Sequence, residues 1–380
     1  MRVLILSLTA ALINGTGLAQ EPDQKAVDVI YDLLWDSVDY LQSGEPAPYF
    51  IGSNQQFAGL MGREDLIPME RKVHLGELIG ACGASIGPVL ETALEKAADT
   101  QIVILSEAHM MPLHRAGILG IVDGLVDAGF THYAYESFEP SITDRPEAYI
   151  RADDVFYSND PIHARLLRQL KARGITLVAY EDDRPEDREI AQALNLKERV
   201  FDKDPDARLI VVGGWSHVYE HGKDGPSTWM AGEVKNLTGH DPLTLSQTAC
   251  YATGNAPVLA QTRQENDGET KAYTLTDYMI GHPPLTFTKN RPDWRRALGD
   301  IDTPVPAAFL GLDEPVIIEA RRPGEPDLAV PDERLLLFPG ETDIPLLLPP
   351  GTYRIDAFTK TGKLGAPVEL TVAPTAASTR

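Results

Sequence analysis

Short apolar segments that alternate with helical segments are the feature that most constrains the fold of this 380-residue chain. The segments with the length and composition of a strand are 102–106, 131–137, 176–180, 208–214 and 243–249. The segments between them, with residues at helical spacing, lie near 113–128, 161–173, 184–200 and 228–238. This alternation predicts an α/β fold with a mainly parallel sheet flanked by helices.

The sequence before and after these alternating segments follows different patterns. Before it, the spacing of apolar residues predicts helices at 24–43 and 76–98, with an irregular stretch rich in Pro and Gly at 44–75. After about residue 300, short β-like runs are separated by Pro, Gly or charged turns. We therefore expect an α/β domain over 20–300 and an accessory small β-sandwich domain over 304–374.

The N-terminus, residues 1–19, has the pattern of a secretory signal peptide. Arg2 supplies the charged start, a mostly apolar run follows, and Gly17 and Ala19 are the small residues that a signal peptidase needs. This run is too short to cross a membrane, and no later stretch reaches about 18 apolar residues. The sequence predicts an exported soluble protein, periplasmic or secreted, with no membrane span; an uncleaved anchor is the alternative.

Charge and cysteine content narrow the classes of partner. The chain has 56 Asp and Glu against 34 Lys and Arg, a net charge of −22, which disfavours binding to nucleic-acid phosphates. We therefore expect a small-molecule or peptide substrate and no nucleic acid. The two cysteines, Cys82 and Cys250, are too few for a four-cysteine zinc site. They either form one disulfide or remain two separate buried thiols.

Acidic and histidine side chains follow four successive predicted strands. The residues at these strand ends are Glu107 and His109, then Glu136, then Glu181, and finally Trp215 and His217, while His114 and Arg115 begin the helix after the first strand. The carboxyl ends of parallel strands meet at one edge of a sheet, where ligands bind in open α/β folds. The sequence therefore predicts a shared functional cleft at this edge.

The residue types in this cleft suit acid–base chemistry. Imidazole has an ordinary pKa near ~6.5 and can take a proton from water at neutral pH. His109 is the predicted base, and Glu136 is predicted to orient it and stabilise its charged form. His217 is predicted to act as an acid or a metal ligand. Glu107 is predicted to complete the catalytic set by polarising or holding a carbonyl or anion. The predicted substrate-binding residues are His114, Arg115, Glu181 and Trp215.

The stretch 104–138 resembles the first signature of the erythromycin-esterase, ChaN and Tiki superfamily. In that family a strand ends in Gly-Glu-x-(x)-His, a helix carrying His or His-Arg follows, and a second strand ends in Glu. Here the segment is Ser106-Glu107-Ala108-His109, with Ser in place of Gly, and His114-Arg115, Gly129-Phe130 and Glu136 match the later elements. Residues 210–217, IVVGGWSH, resemble the later strand with its Gly-x-x-His ending, so the similarity covers 101–250.

The resemblance implies a shared α/β fold with a Glu/His cleft, and three different activities. Esterase-type members hydrolyse an ester with a His-activated water, which would make His109 the base and Glu136 its partner. Tiki-type members are metal-dependent proteases, and ChaN-type members bind haem or iron. The cofactor therefore stays open between none, a divalent metal and haem, and a catalytically inactive binding module is a further alternative.

Three rival patterns compete with this interpretation. Residues 83–87 match G-x-S-x-G, which would make Ser85 a nucleophile with His217 or His240 as its base; a turn or helix in the core is the competing interpretation. His217 and His221 share a helical spacing, and Glu107, His109 and His217 would form a mixed metal-ligand set. The side chains that would ligate iron near the cleft mouth are Tyr133, Tyr180, Tyr219 and His221.

Overall fold

The computed structural model describes residues 22–43, 57–67, 80–155, 159–181, 184, 186–221, 229–261, 263–266, 269–272 and 275–374. The predicted signal peptide at 1–19 lies outside these residues. No helix in the described ranges is long and apolar enough to cross a membrane.

A seven-stranded sheet forms the centre of the molecule. In chain order, the first strands are β1 (Gly80–Ala81), β2 (Ile102–Glu107), β3 (His132–Tyr135), β4 (Thr176–Ala179), β5 (Leu209–Gly214), β6 (Leu243–Ser246), β7 (Cys250–Tyr251), β8 (Val258–Ala260), β9 (Arg263–Asn266), β10 (Glu269–Ala272) and β11 (Tyr278–Gly281). The sheet has the order β4-β3-β5-β2-β6-β11-β8. All neighbours are parallel except β8, which runs antiparallel to β11. The predicted α/β fold class is confirmed.

Helices cover both faces of this sheet. They are α1 (Pro22–Ser43), α2 (Val89–Lys96), α3 (Pro112–Gly117), α4 (Leu119–Asp127), α5 (Pro161–Ala172), α6 (Arg188–Leu196), α7 (Met230–Thr238) and α8 (Asp293–Ala297). Apolar residues of α1, α4 and α5 pack with Val103 and Leu105 on one face, and those of α6 and α7 pack with Ile102 and Ile104 on the other. Strands buried on both faces explain why β2 is apolar without alternation.

Side-chain N-caps fix the first turns of two helices, α5 and α6, that lie near the predicted site. The Asp160 side chain accepts hydrogen bonds from the backbone N–H groups of Ile162 and His163, and Pro161 takes the first helical position of α5. The Asp187 side chain accepts from the N–H of Glu189 at the start of α6. Each cap anchors a helix that follows a strand end, so the side chains of its first turn have fixed positions.

The predicted helix at 76–98 is wrong over residues 80–88. Gly80 and Ala81 form β1, which pairs with β7, and Cys82 is disulfide-bonded to Cys250. Gly80 has a φ of +87°, which an L side chain rarely adopts, and helix α2 begins only after Pro88. Ser85 is exposed, and its hydroxyl donates to the carbonyl of Gly87 at 2.9 Å. Since β1 is a two-residue strand outside the seven-stranded sheet, Ser85 does not follow a central strand as the nucleophile elbow requires.

Antiparallel strands dominate the C-terminal part. They are β12 (Phe287–Thr288), β13 (Arg291–Pro292), β14 (Ile301–Thr303), β15 (Val316–Arg321), β16 (Glu333–Leu337), β17 (Leu346–Leu348), β18 (Gly351–Thr359), β19 (Gly362–Lys363) and β20 (Val368–Val372). β16, β15, β18, β19 and β20 form one sheet, and β14 pairs with β17. Their side chains enclose a second core that includes Ile318, Leu335 and Leu346. β14 lies between the two predicted domains and belongs to the C-terminal sheets.

Buried polar contacts connect the C-terminal sheet to the α/β part. Glu333 on β16 pairs with Arg291 and Arg295, at 2.7 Å and 2.8 Å. Arg334 donates to the Asn159 carbonyl at 2.8 Å, directly before the α5 cap. The other face of this sheet contributes Ile317 to the same core as α1. Removing the C-terminal strands would therefore leave buried charges and part of the main core uncovered.

Candidate active site

Three predicted site residues, His109, Glu136 and His217, lie close together at the carboxyl ends of β2, β3 and β5. The Nε2 atom of His109 lies 4.0 Å from Oε1 of Glu136, and the Nε2 atom of His217 lies 3.7 Å from the same oxygen. Across the sheet, Glu107 is in register with Gly214, and Tyr135, which precedes Glu136, is in register with Val212. The parallel register therefore produces the convergence that the strand-end pattern predicts.

Glu107, and not Glu136, is the residue that orients His109. Its Oε1 lies 2.8 Å from Nδ1 of His109, and its Oε2 accepts from Nη1 of Arg115 at 2.6 Å. Burial alone would raise the pKa of Glu107, but the charge of Arg115 and the contact with His109 outweigh it and hold this pKa well below its usual range. An ionised Glu107 only accepts hydrogen bonds, so His109 carries its hydrogen on Nδ1 and directs the Nε2 lone pair toward Glu136.

The predicted pairing of His109 with Glu136 thus needs correction. Glu107 is the last residue of β2, and His109 lies in the turn that follows, which brings its Nδ1 back to the Glu107 carboxylate. Glu136 comes from the neighbouring part of the sheet and reaches the other nitrogen of the ring. His109 consequently lies between two carboxylates, with one buried behind it and one in the cleft.

Glu136 is held as a buried carboxylate by two hydrogen-bond donors. Its Oε1 accepts from Nη2 of Arg188 at 2.7 Å, and its Oε2 accepts from the backbone N–H of Gly214. Burial would raise the pKa of Glu136, but the charges of His217, His109 and Arg188 outweigh it and lower the pKa to about 2. The carboxylate is therefore ionised at neutral pH and fixed in position.

Gly214 allows His109 and Glu136 to approach the β5 strand end. A Cβ at this position would lie 2.5 Å from Cε1 and 2.6 Å from Nε2 of His109. The next residue, Trp215, has a φ of +38°, which is strained for a residue with a side chain. Its ring meets the His109 imidazole edge to face, with 4.7 Å between centroids. The turn after β5 therefore forms one wall beside the base.

His217 lies behind Glu136 and has its own carboxylate partner. Its Nδ1 is 2.8 Å from Oε2 of Glu189, and its Nε2 is 2.9 Å from Nη1 of Arg188. Burial lowers the pKa of His217, but the Glu136 and Glu189 carboxylates outweigh it and raise the pKa. When both ring nitrogens of His217 carry hydrogen, Nε2 can no longer accept a hydrogen bond from Arg188. Protonation of His217 therefore breaks its contact with Arg188.

Two cleft residues, Arg188 and Glu189, escaped the sequence interpretation. They lie on the first turn of α6, directly after the acidic run at 182–187, and no role was predicted for them from the sequence. Arg188 binds both Glu136 and Glu181, and Glu181 also accepts from Gln192. Burial raises the pKa of Glu181 despite Arg188. One general rule would have found them. In a parallel sheet, the first turn of a helix that follows a strand lies at the same edge as the strand ends.

His114 and Arg115 lie behind the cleft and not on its open side. Arg115 is buried, binds Glu107, and uses its Nε to pair with Asp160, the cap of α5. The Nδ1 of His114 accepts from the backbone N–H of Ala108 at 2.9 Å, and burial lowers the pKa of this imidazole. Their positions give no support to the predicted substrate contacts. They suit a role in holding the Glu107–His109 turn.

The donor set does not fit a metal or haem site. Within the described ranges, no group of three or more His, Cys, Asp or Glu side chains is arranged to hold a metal ion. Both oxygens of Glu107 are paired, and the Arg188 guanidinium lies where His217 and Glu136 would have to share a cation. Tyr133 is buried beside His163, and the Tyr180 hydroxyl donates to the carbonyl of Val212. The residues present therefore do not support a reaction step on a metal or a haem.

The fold and site together define an α/β protein with a carboxylate–imidazole–guanidinium cluster at the carboxyl ends of its parallel strands. No family model and no curated protein matches the chain. Solved structures resemble it weakly. RRSP, a MARTX toxin effector domain from Vibrio vulnificus CMCP6, has 11% identity and a TM-score of 0.31, over 66% of this chain and 48% of that chain.

Two further structures show a similar level of likeness. One, described only as bacterial protein toxins, has 13% identity and a TM-score of 0.31, over 56% of this chain and 54% of that chain. The other is the C-terminal region of Pasteurella multocida toxin, reported with a thiol-protease like catalytic triad, at 10% identity and a TM-score of 0.31, over 90% of this chain and 54% of that chain. The chain spans about half the length of these structures. Likeness at this level does not define a function.

Proposed function

We propose that the protein is an exported hydrolase that uses a His/Glu-activated water on an ester, lactone or amide. The observation that carries this proposal is the placement of His109 between Glu107 and Glu136. One carboxylate fixes the tautomer of the ring, and the other faces the nitrogen that would accept a proton. This arrangement contains the parts of general-base hydrolysis in their required order.

The spacing of the two cleft groups suits a bound water. A gap of 4.0 Å between Nε2 of His109 and Oε1 of Glu136 is too long for a direct hydrogen bond and is the range in which one water bridges two polar groups. In the proposed reaction this water donates one hydrogen to each group. As its oxygen attacks the carbonyl carbon, its proton passes to His109, and the Glu107 carboxylate stabilises the imidazolium that forms.

The leaving group receives the same proton in the second half of the reaction. The tetrahedral adduct collapses, the bond from its carbon to the leaving oxygen or nitrogen breaks, and the His109 imidazolium protonates that atom. Glu136 stays ionised throughout because its pKa is lowered to about 2. His217 contributes by holding Arg188 and Glu136 in place.

The proposal extends to family and location. Of the residues that carry the resemblance to the erythromycin-esterase, ChaN and Tiki superfamily, Glu107, His109 and Glu136 lie close together. Ser106, in the place of Gly, accepts from the N–H of Gln247 at 2.9 Å. A disulfide between Cys82 and Cys250 is typical of proteins in an oxidising compartment. It supports the periplasmic or secreted location that the first residues predict. The substrate is a small molecule or a peptide.

An ester, lactone and amide panel tests the proposal. Purified protein is assayed with p-nitrophenyl acetate, a δ-lactone and a p-nitroanilide, with and without a chelator. His109→Ala and Glu136→Ala should each lower kcat by about 10²–10⁴-fold, because each removes one partner of the attacking water. Both variants are assayed well below their melting temperatures, since Glu136→Ala removes a buried acceptor of Arg188 and of the Gly214 N–H and should lower the melting temperature more than His109→Ala does. Activity that a chelator abolishes would instead favour a metal-dependent hydrolase.

His132→Ala is the matched control for these variants. His132 begins β3, so it lies at the opposite end of the same strand that leads to Glu136, and its imidazole contacts Thr131 in an exposed position. Its loss should leave kcat unchanged. Wild-type rates in His109→Ala or Glu136→Ala would remove the proposed mechanism, as would a wild-type protein inactive toward every member of the panel.

A further inference from the structure

Arg188 is the most exposed member of the cleft cluster. Its side chain is 40% exposed, against 17% for His109 and 5% for Glu136. It is nevertheless anchored, because its Nε and Nη2 bind Glu181, its Nη2 also binds Glu136, and its Nη1 binds His217. A solvent-accessible cation with this many fixed partners is a preorganised charge beside the base.

The donor count of Arg188 leaves one hydrogen for a ligand. A guanidinium has five N–H bonds, of which Nε has one and each terminal nitrogen has two. Glu181 takes the Nε hydrogen and one from Nη2, Glu136 takes the other from Nη2, and His217 takes one from Nη1. Counting only partners among the described residues, the second hydrogen of Nη1 has none.

Three other donors of the cluster are already committed. The Gly214 N–H donates to Glu136. Arg115 is buried and binds Glu107 and Asp160. The Nδ1 hydrogen of His109 goes to Glu107. Hydrolysis of a carbonyl compound needs a donor for the negative charge that develops on oxygen, and Arg188 is the cleft cation that reaches solvent.

We infer that Arg188 is a further catalytic residue that binds the carbonyl oxygen of the substrate through Nη1 and stabilises the oxyanion. This inference deepens the proposed hydrolase and rests on it. When the water oxygen bonds to the carbonyl carbon and its proton passes to His109, the carbonyl π electrons move onto oxygen, where Nη1–H of Arg188 donates to them. On collapse the electrons return to the carbonyl, and the leaving group departs with the proton from His109.

The geometry places the Arg188 guanidinium beside the proposed water. Nη2 of Arg188 and Nε2 of His109 both face Oε1 of Glu136, at 2.7 Å and 4.0 Å. A water held between His109 and Glu136 therefore has the guanidinium beside it. Glu181 and Glu136 prevent Arg188 from swinging away as charge develops, so no reorganisation is needed during the reaction.

Substitution with chemical rescue tests the inference. With p-nitrophenyl acetate as the probe, Arg188→Met should lower kcat by about 10²–10³-fold, as loss of one oxyanion donor does. KM should stay within about threefold, because the interaction is made mainly in the transition state. Added guanidinium ion at millimolar concentration should restore part of kcat. Arg188→Lys should show an intermediate loss, since an ammonium keeps the charge but loses the fork.

Arg184→Met provides the matched control. Arg184 precedes Arg188 by four residues and pairs with Glu198 on the surface. This variant should keep the wild-type kcat and should not respond to guanidinium ion. It removes the same charge and the same side chain from the same segment, so it isolates the effect of position.

Each outcome decides between the two proposals. A wild-type kcat in Arg188→Met, or a raised KM with unchanged kcat, overturns the role of Arg188 while a His109-dependent activity leaves the hydrolase intact. An inactive wild type, or activity that survives His109→Ala, refutes the hydrolase and the Arg188 inference with it. If Arg188→Met does not fold, Arg188→Lys decides by the same criterion: lower kcat at constant KM supports the inference, and any other pattern overturns it.

Discussion

Substitution of Gly214 by alanine is the cleanest perturbation of the cleft. The backbone of Gly214 has φ −73° and ψ 139°, which alanine adopts without strain. The only cost is therefore steric, since the new methyl would lie 2.5 Å from Cε1 of His109 and 3.1 Å from Oε2 of Glu136. The change adds one carbon and alters no charge.

The magnitude follows from these distances. Ordinary contact begins at 3.4 Å, so the imidazole must retreat by about 0.9 Å, and a misplacement of about 1 Å costs about 10²-fold in rate. Gly214→Ala should therefore lower kcat by about 10²-fold, equivalent to about 2.7 kcal/mol of barrier. Overpacking should cost about 1–3 kcal/mol of unfolding free energy.

The assay is steady-state hydrolysis of p-nitrophenyl acetate together with urea unfolding. Gly120→Ala is the control, because its methyl would meet only Leu90 at 3.9 Å on the exposed side of α4. That variant should keep its kcat and gain about 0.5–1 kcal/mol of stability from the better helix former. An unchanged kcat in Gly214→Ala, with a folded protein, would refute the placement of His109 against the β5 end.

Further predictions concern a buried acid and the support of the base. Burial raises the pKa of Glu64 to about 7, although Trp294 and Arg291 oppose it, so its stabilising contribution is complete below about pH 4.5 and is lost as the pH rises through about 7. Glu64→Gln should abolish this loss, worth about 3 kcal/mol, and urea unfolding at pH 5 and pH 8 checks it; an equal pH dependence in the variant would contradict it. Asp160→Asn keeps the α5 cap but removes the carboxylate opposite Arg115, so kcat should fall about tenfold as Glu107 and His109 lose alignment. Steady-state kinetics check this, and a variant that loses stability at full kcat would show that Asp160 does not position the base.

The central sheet and the convergence at its edge follow directly from the sequence. The apolar runs of β2 and β5 can only be buried on both faces, which requires the helices between them. Once the strands are parallel, the residues after them must meet. This is why Glu107, Glu136 and His217 could be placed together before any coordinates.

The sequence could not decide which carboxylate pairs with which nitrogen of His109. Whether Glu107 or Glu136 binds Nδ1 of His109 depends on ring orientation, which the turn after β2 and the buried Arg115 decide. Arg188 was missed because an acidic run in the sequence precedes it, although its position on the first turn of α6 brings it to the same edge. The helix predicted over 80–88 failed because the disulfide partner, Cys250, is remote in sequence.

Isotope labelling in a single turnover tests the central claim most directly. With protein in excess over a p-nitrophenyl ester in ¹⁸O-labelled water, direct attack by the water that His109 activates places one ¹⁸O atom in the carboxylate product of the first turnover. His109→Ala should yield no labelled product on the same timescale. An unlabelled first-turnover product would show that a side chain such as Glu136 attacks the carbonyl instead, and labelling at the wild-type rate in His109→Ala would show that His109 is not the base.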